Sequence, residues 1–187
     1  MSINCFGFDT EYRDGEESKC KEFLAIAIHQ ESVARGVLPI KTLFHPDKAD
    51  SHMTPKQVAA AVAHMYGLFR ARFIPVSWNG THSDFRHLHD YCVAHDCAAA
   101  AAMCQEMVMS HIDLAFLMLC DLGVMTGLDV LGFNVLGRPK PQESKLMPDL
   151  WKENREYVMH QAAHDAETTC HLYQWAHVKN TLSWRTK

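Results

Sequence analysis

No apolar run in the 187-residue sequence approaches the twenty or so residues that a bilayer span needs, and the first residues lack the basic-then-apolar pattern of a secretory signal. Neither a membrane protein nor a secreted one is expected; the expected location is cytoplasmic or otherwise intracellular. The seven cysteines are odd in number and contain no Cys-x-x-Cys pair, which argues against a disulfide framework and a zinc ribbon alike. A basic excess is missing too: net charge is −4 with histidine neutral, which counts against a protein that coats long nucleic acid by its overall field. It does not exclude an enzyme that grips a few nucleotides where bound metal supplies positive charge locally. Internal repeats, domain-separating linkers and low-complexity tracts are absent apart from an alanine run at 98–102.

The chain has the bulk for one domain, expected over 1–187, with 48% hydrophobic and 21% charged residues. Ile3–Phe8 and Lys21–His29 read as strands linked by a hairpin at Asp14–Lys19, and Val37–Phe44 reads as a third strand after a turn at Arg35-Gly36. Asp47–Met53 is a polar loop. Thr54-Pro55-Lys56-Gln57 carries the capping-box and first-turn proline signals of a helix running to about Arg72. A short strand at Ile74–Trp78 and an Asn79-Gly80 turn follow, then helices from Ser83 to His95 and Ala98 to Met109. Ile112–Leu119 is apolar, Leu128–Leu136 reads as a short helix, Gly137–Pro148 as a loop, and Trp151–Val178 as one final helix. Strands first, then alternation with helices, give an α/β class with a mixed sheet.

Three short stretches carry chemistry. Asp9 and Glu11 close the first strand at i and i+2 spacing, so both carboxylates project to one side at or just past its end. Two crowded carboxylates stay ionised with a cation between them, and an all-oxygen pair suits a hard ion such as Mg²⁺ or Mn²⁺. The blander alternative is a pair of exposed loop acids, since Asp-x-Glu recurs at Asp14/Glu16 and Asp165/Glu167. Asp84 opens a helix after the Asn-Gly turn, where the helix dipole favours an acid; it could equally be a cap. His160 and Asp165 lie in the last helix, about 140° apart around its axis, so they would flank a site rather than stack.

In combination, Asp9-x-Glu11, Asn79-Gly80-x-x-x-Asp84 and His160-x-Ala162-x-x-Asp165-Ala166 occur in that order, and the sequence resembles the DEDDh group of 3′–5′ exonucleases in the RNase H-like superfamily, which includes proofreading exonucleases and oligoribonuclease. The three motifs span residues 9–165. Leu128-Asp129-Val130-Leu131 and the Leu146–Trp151 stretch also look like the approach to the third motif. Ser83 departs from the aromatic that relatives carry before the second acid, and Trp78 from their common histidine.

The resemblance implies an RNase H-like fold with a central mixed sheet of about five strands flanked by helices. It also implies two Mg²⁺ or Mn²⁺ ions held by Asp9, Glu11, Asp84 and Asp165, with His160 as general base. Single-stranded DNA or RNA would be trimmed from its 3′ end to nucleoside 5′-monophosphates. Thr10, Tyr12, Asn79, His82 and Phe85 stand beside the motifs as candidate substrate contacts, Tyr12, Trp78, His82 and Phe85 by stacking on terminal bases. Several relatives are dimers, which makes a homodimer an expectation here. Two alternatives stay open: a non-catalytic nucleic-acid-binding module on the same fold, and a zinc hydrolase using His82, His87 and His89 or the His160/His164 helical pair.

Overall fold

A computed structural model describes residues 4–15, 20–32, 38–48, 51–139 and 147–178. Five strands form one mixed sheet in the order β3-β2-β1-β4-β5. β1 (Asn4–Asp14), β2 (Lys21–Ser32) and β3 (Ile40–Phe44) are antiparallel neighbours, whereas β4 (Ile74–Ser77) and β5 (Ile112–Asp113) add in parallel beyond β1. The helices are α1 (Pro55–Arg70), α2 (Asp84–Ala94), α3 (Ala98–Val108), α4 (Leu114–Leu122), α5 (Leu128–Leu136), α6 (Met147–Glu153) and α7 (Arg155–Val178). The architecture is therefore α/β, a mixed five-stranded sheet flanked by helices. No helix among the described residues is long and apolar enough to cross a membrane.

The two sheet faces are packed differently. Phe6 and Phe8 of β1, with Phe23, Ile26 and Ile28 of β2, meet Val58, Val62 and Met65 of α1, Phe85 and Leu88 of α2, and Cys104 and Met107 of α3 in the main core. The opposite face of the same strands presents Cys5, Gly7, Ala25 and Ala27, and α7 lies on it with Ala162 and Ala166. A side chain at Gly7 would come 2.1 Å from the Ala166 carbonyl oxygen, so helix and strand touch backbone to backbone there. Cover on both faces is why Phe23 to His29 is an unbroken buried run instead of an alternating one.

Several boundaries differ from the sequence expectation. β1 continues past Phe8 to Asp14, because pairing with β2 holds it as far as Asp14 opposite Lys21. Asp9 and Glu11 thus sit within a strand and not at its end. Opposite them the register shifts between Glu11 and Tyr12, leaving Leu24 as an extra residue in β2. The expected final helix is divided at Asn154, whose side-chain oxygen accepts the Tyr157 amide at 3.1 Å and starts α7 afresh. Ile112–Leu119 is divided too, the two residues of β5 leading directly into α4. The Thr54 cap forms as expected, with the Gln57 amide donating to Thr54 Oγ1 and the Thr54 amide to Gln57 Oε1. Most of the expected hairpin at 16–19, the Arg35-Gly36 turn with Val37, and 140–146 of the expected loop lie outside the described residues.

Candidate active site

β4 pairs with β1 only from Cys5 to Gly7, ending at Ser77. Past that point the β4-side edge of β1 meets a turn and the start of α2 instead of a strand. The Thr10 amide therefore needs another acceptor. It donates to Asp84 Oδ1 at 3.0 Å, and Thr10 Oγ1 donates to the same oxygen at 2.5 Å. Asp84 is the first residue of α2 and is not a helix cap: its carboxylate is spent on the residue between Asp9 and Glu11.

The turn that delivers Asp84 is built by a second buried acid. Asp113, at the end of β5, accepts the amides of Asn79 at 2.9 Å and Thr81 at 3.0 Å, the Thr81 hydroxyl at 2.7 Å, and the Phe116 amide at 3.2 Å. Asn79 adopts the left-handed conformation, φ 63°, that asparagine tolerates better than most side chains. Gly80 follows because any side chain there would sit 2.4 Å from Ser77 Oγ. Sequence reasoning missed Asp113. An acid heading an apolar run is an N-cap signal, and Asp113 does cap α4, but its hold on a turn more than thirty residues earlier is purely tertiary.

Asp9, Thr10, Glu11, Tyr12, Trp78, Asn79, Ser83 and Asp84 line one open cavity of about 710 Å³, closed on another side by Met125, Thr126 and Gly127 after α4. No pattern in the sequence marked that last segment. Burial raises the Asp84 carboxyl to a pKa of about 6, opposed by the Thr10 hydrogen bonds and reinforced by nearby Asp113. Tyr12 bonds Ser83 Oγ through its hydroxyl at 3.1 Å, so the serine at this position is the partner of an aromatic side chain from β1.

Asp165 lies on α7, the helix that packs on the β1–β2 face carrying Asp9 and Glu11. Ala162 and Ala166 pack on Ala27, the β2 partner of Asp9, with Leu43 of β3 and Ala163 against the same cluster. The Asp165 carboxylate accepts Gln161 Nε2 at 3.0 Å and lies 3.2 Å from His164 Nδ1. His160 is exposed on α7, and neither His160 nor Asp165 lines the cavity. Of the remaining candidates, Phe85 is a core residue, 2% exposed and edge-on to Phe8 at 4.8 Å, so it is not available to stack on a base. His82 is exposed and outside the cavity.

The acids that line the cavity, Asp9, Glu11 and Asp84, offer only carboxylate oxygens, the chemistry of a hard divalent ion and not of zinc. A buried acid such as Asp84 is ionised at neutral pH most readily beside a cation. The residues present fit Mg²⁺ or Mn²⁺ in that sense. Groups in which three ligand atoms already stand within 4.8 Å of one another lie elsewhere among the described residues: His29, Glu31 and Cys170, and His29, Glu167 and His171. None of His82, His87, His89, His160 or His164 belongs to them. Comparison of the chain with models of known protein families and with characterised proteins gives no match to either.

Proposed function

We propose that the protein is a metal-dependent 3′–5′ exonuclease of the DEDDh type on an RNase H-like fold, hydrolysing phosphodiester bonds at the 3′ end of single-stranded nucleic acid. The observation that carries this reading is the bond from Thr10, the residue between Asp9 and Glu11, to the buried Asp84 carboxylate, with all four residues lining one open cavity. Carboxylates 73 or more positions apart in sequence converge there on a hollow large enough for a terminal nucleotide. The mixed sheet with helices on both faces is the class that this fold requires.

Asp9, Glu11, Asp84 and Asp165 would hold two Mg²⁺ or Mn²⁺ ions, which when bound neutralise the scissile phosphate, lower the pKa of the attacking water and stabilise the leaving 3′-oxygen. Thr10 holds the Asp84 carboxylate in place through two hydrogen bonds to Oδ1, so that the acid would meet a bound ion in a fixed orientation. His160, exposed on α7, would take the water's proton on a ring nitrogen, a role suited to an imidazole. Trp78 and Tyr12 supply the aromatic surface of the cavity, against which the terminal base stacks.

The test is a panel of single- and double-stranded DNA and RNA labelled at either end, with Mg²⁺ against Mn²⁺. Stepwise release of 5′-monophosphates from a free 3′ end is expected, blocked by a 3′-phosphate. Cleavage of circular substrates would make the protein an endonuclease, and no cleavage of any substrate would leave a binding module. His160→Ala is expected to lower turnover roughly a hundredfold or more while substrate affinity changes little; full-rate digestion by that variant would remove the base assignment.

A further inference from the structure

At the far end of the α7-covered face, away from the carboxylates, a different set of side chains converges. His29 and Glu31 of β2 alternate onto this face opposite Gly7 and Cys5. Cys170 and His171 come from α7. Glu31 Oε2 lies 3.3 Å from His29 Nε2 and 3.0 Å from His171 Nε2, so one carboxylate oxygen is shared by two imidazoles. The ligand atoms of His29, Glu31 and Cys170 all fall within 4.8 Å of one another. Ligands of a tetrahedral zinc stand about 3.3–3.8 Å apart, so small side-chain movements close the set.

We propose that His29, Glu31, Cys170 and His171 form a zinc site that clamps β2 to α7, separate from the carboxylate cavity and independent of the nuclease reading. Nitrogen, sulfur and one carboxylate are the donors that zinc takes and that Mg²⁺ does not. His29 is 1% exposed, yet its Nδ1 meets no hydrogen-bond partner, a costly state for a buried imidazole of which either nitrogen ligates zinc. Burial holds both imidazoles below their ordinary pKa, keeping lone pairs available near neutrality. A hydrogen bond with Cys5 and burial push the Cys170 thiol up, so the ion must displace that proton on binding, as zinc coordination to thiols does. Glu31 and His171 are each 23% exposed and give the ion its way in.

The neighbouring trio of His29, Glu167 and His171 is the weaker centre. Glu167 is already engaged by Lys41 at 2.8 Å and Arg138 at 3.2 Å. Two cations on its carboxylate disfavour a third.

The full-length protein, loaded with Zn²⁺ and passed through gel filtration, is expected to retain about one zinc per chain by elemental analysis. His171→Ala and Cys170→Ser should weaken zinc binding by about a hundredfold or more, whereas Asp9→Ala and Glu167→Gln should keep it. Co²⁺ added to the wild-type protein should give a thiolate-to-metal charge-transfer band, which needs no variant to fold. Absence of that band or of retained zinc would overturn the site, as would loss of zinc in Glu167→Gln with retention in Cys170→Ser. Loss in Asp9→Ala would place the ion in the carboxylate cavity instead. Nuclease activity is not a readout of any arm, so this site and the proposed reaction fail separately.

Discussion

Along the face that α7 covers, Asp9 and Glu11 stand opposite Ala27 and Ala25, while Gly7 and Cys5 stand opposite His29 and Glu31. One strand pair and one helix thus carry two clusters of opposite chemistry, oxygen donors toward one end and nitrogen, sulfur and oxygen at the other, divided by the backbone contact of Gly7 with Ala166. The first end opens onto a cavity because β4 stops at Ser77 and small alanines face the acids. The second is mostly buried, with His29 and Cys170 almost wholly enclosed and only Glu31 and His171 partly exposed. Hard ions that keep part of their water suit the open end, and a dehydrated, softer ion suits the buried one.

The largest expected effect separates the ends outright. Asp9→Ala should lower nuclease turnover by about a thousandfold or more, the order lost when a fixed electrostatic group is removed from a reaction centre. Elemental analysis of the same variant should show its zinc unchanged; activity above a tenth of wild type would detach Asp9 from the reaction.

Next in size is the response to pH. Asp84 has a folded pKa of about 6 against an ordinary 3.8, so its ionisation is disfavoured by folding. That penalty is absent below about pH 4 and complete above about pH 6, hence this group's effect is to lower stability as pH rises through that window. The loss is up to about 3 kcal/mol at neutral pH. Urea unfolding in chelator should show Asp84→Asn gaining stability over wild type above pH 6 and converging with it near pH 4, while activity disappears. No gain above pH 6 would mean that Asp84 is already solvated or paired in solution.

Gly7→Ala strikes the divide itself. Its side chain would meet Ala166 and Cys170 backbone, which cannot yield as a flexible side chain does, so α7 must lift from β1 at a cost of about 1–3 kcal/mol. Both ends should suffer together, in metal affinity and in turnover. A change at one end alone would show that the clusters are not held by a common contact.

The smallest effect is expected from Tyr12→Phe, which deletes the bond to Ser83 and leaves the ring edge-on to Phe23. A loss of about 0.5–1.5 kcal/mol by urea unfolding, with turnover within a few-fold of wild type, is expected.

Local signals were legible where local physics decides. Thr54, Pro55 and Gln57 announce the α1 start because capping involves only neighbours, and the apolar run after Lys21 announces β2 because both its faces are buried. The i, i+2 spacing of Asp9 and Glu11 was enough to put them on one side of a strand. Where β1 ends was not readable, since Arg13 and Asp14 are strand residues only through Glu22 and Lys21 across from them. Phe85 looked like a base-stacking ring by its position next to Asp84, and packing against Phe8 removed it from the surface.

Sequence alone determined the outlines of β1 to β4, the capped start of α1 and the chemistry of the side chains, since these follow from propensity, periodicity and functional groups within a few residues. Tertiary structure decided which groups meet. Thr10 bonds Asp84 because β4 is too short to take its amide, Asp113 shapes a turn from another element, and His29 finds His171 because an alanine-faced helix can lie flat on a glycine in β1. Each of those outcomes is set by a long-range contact, and no local pattern encodes where a distant partner will stop.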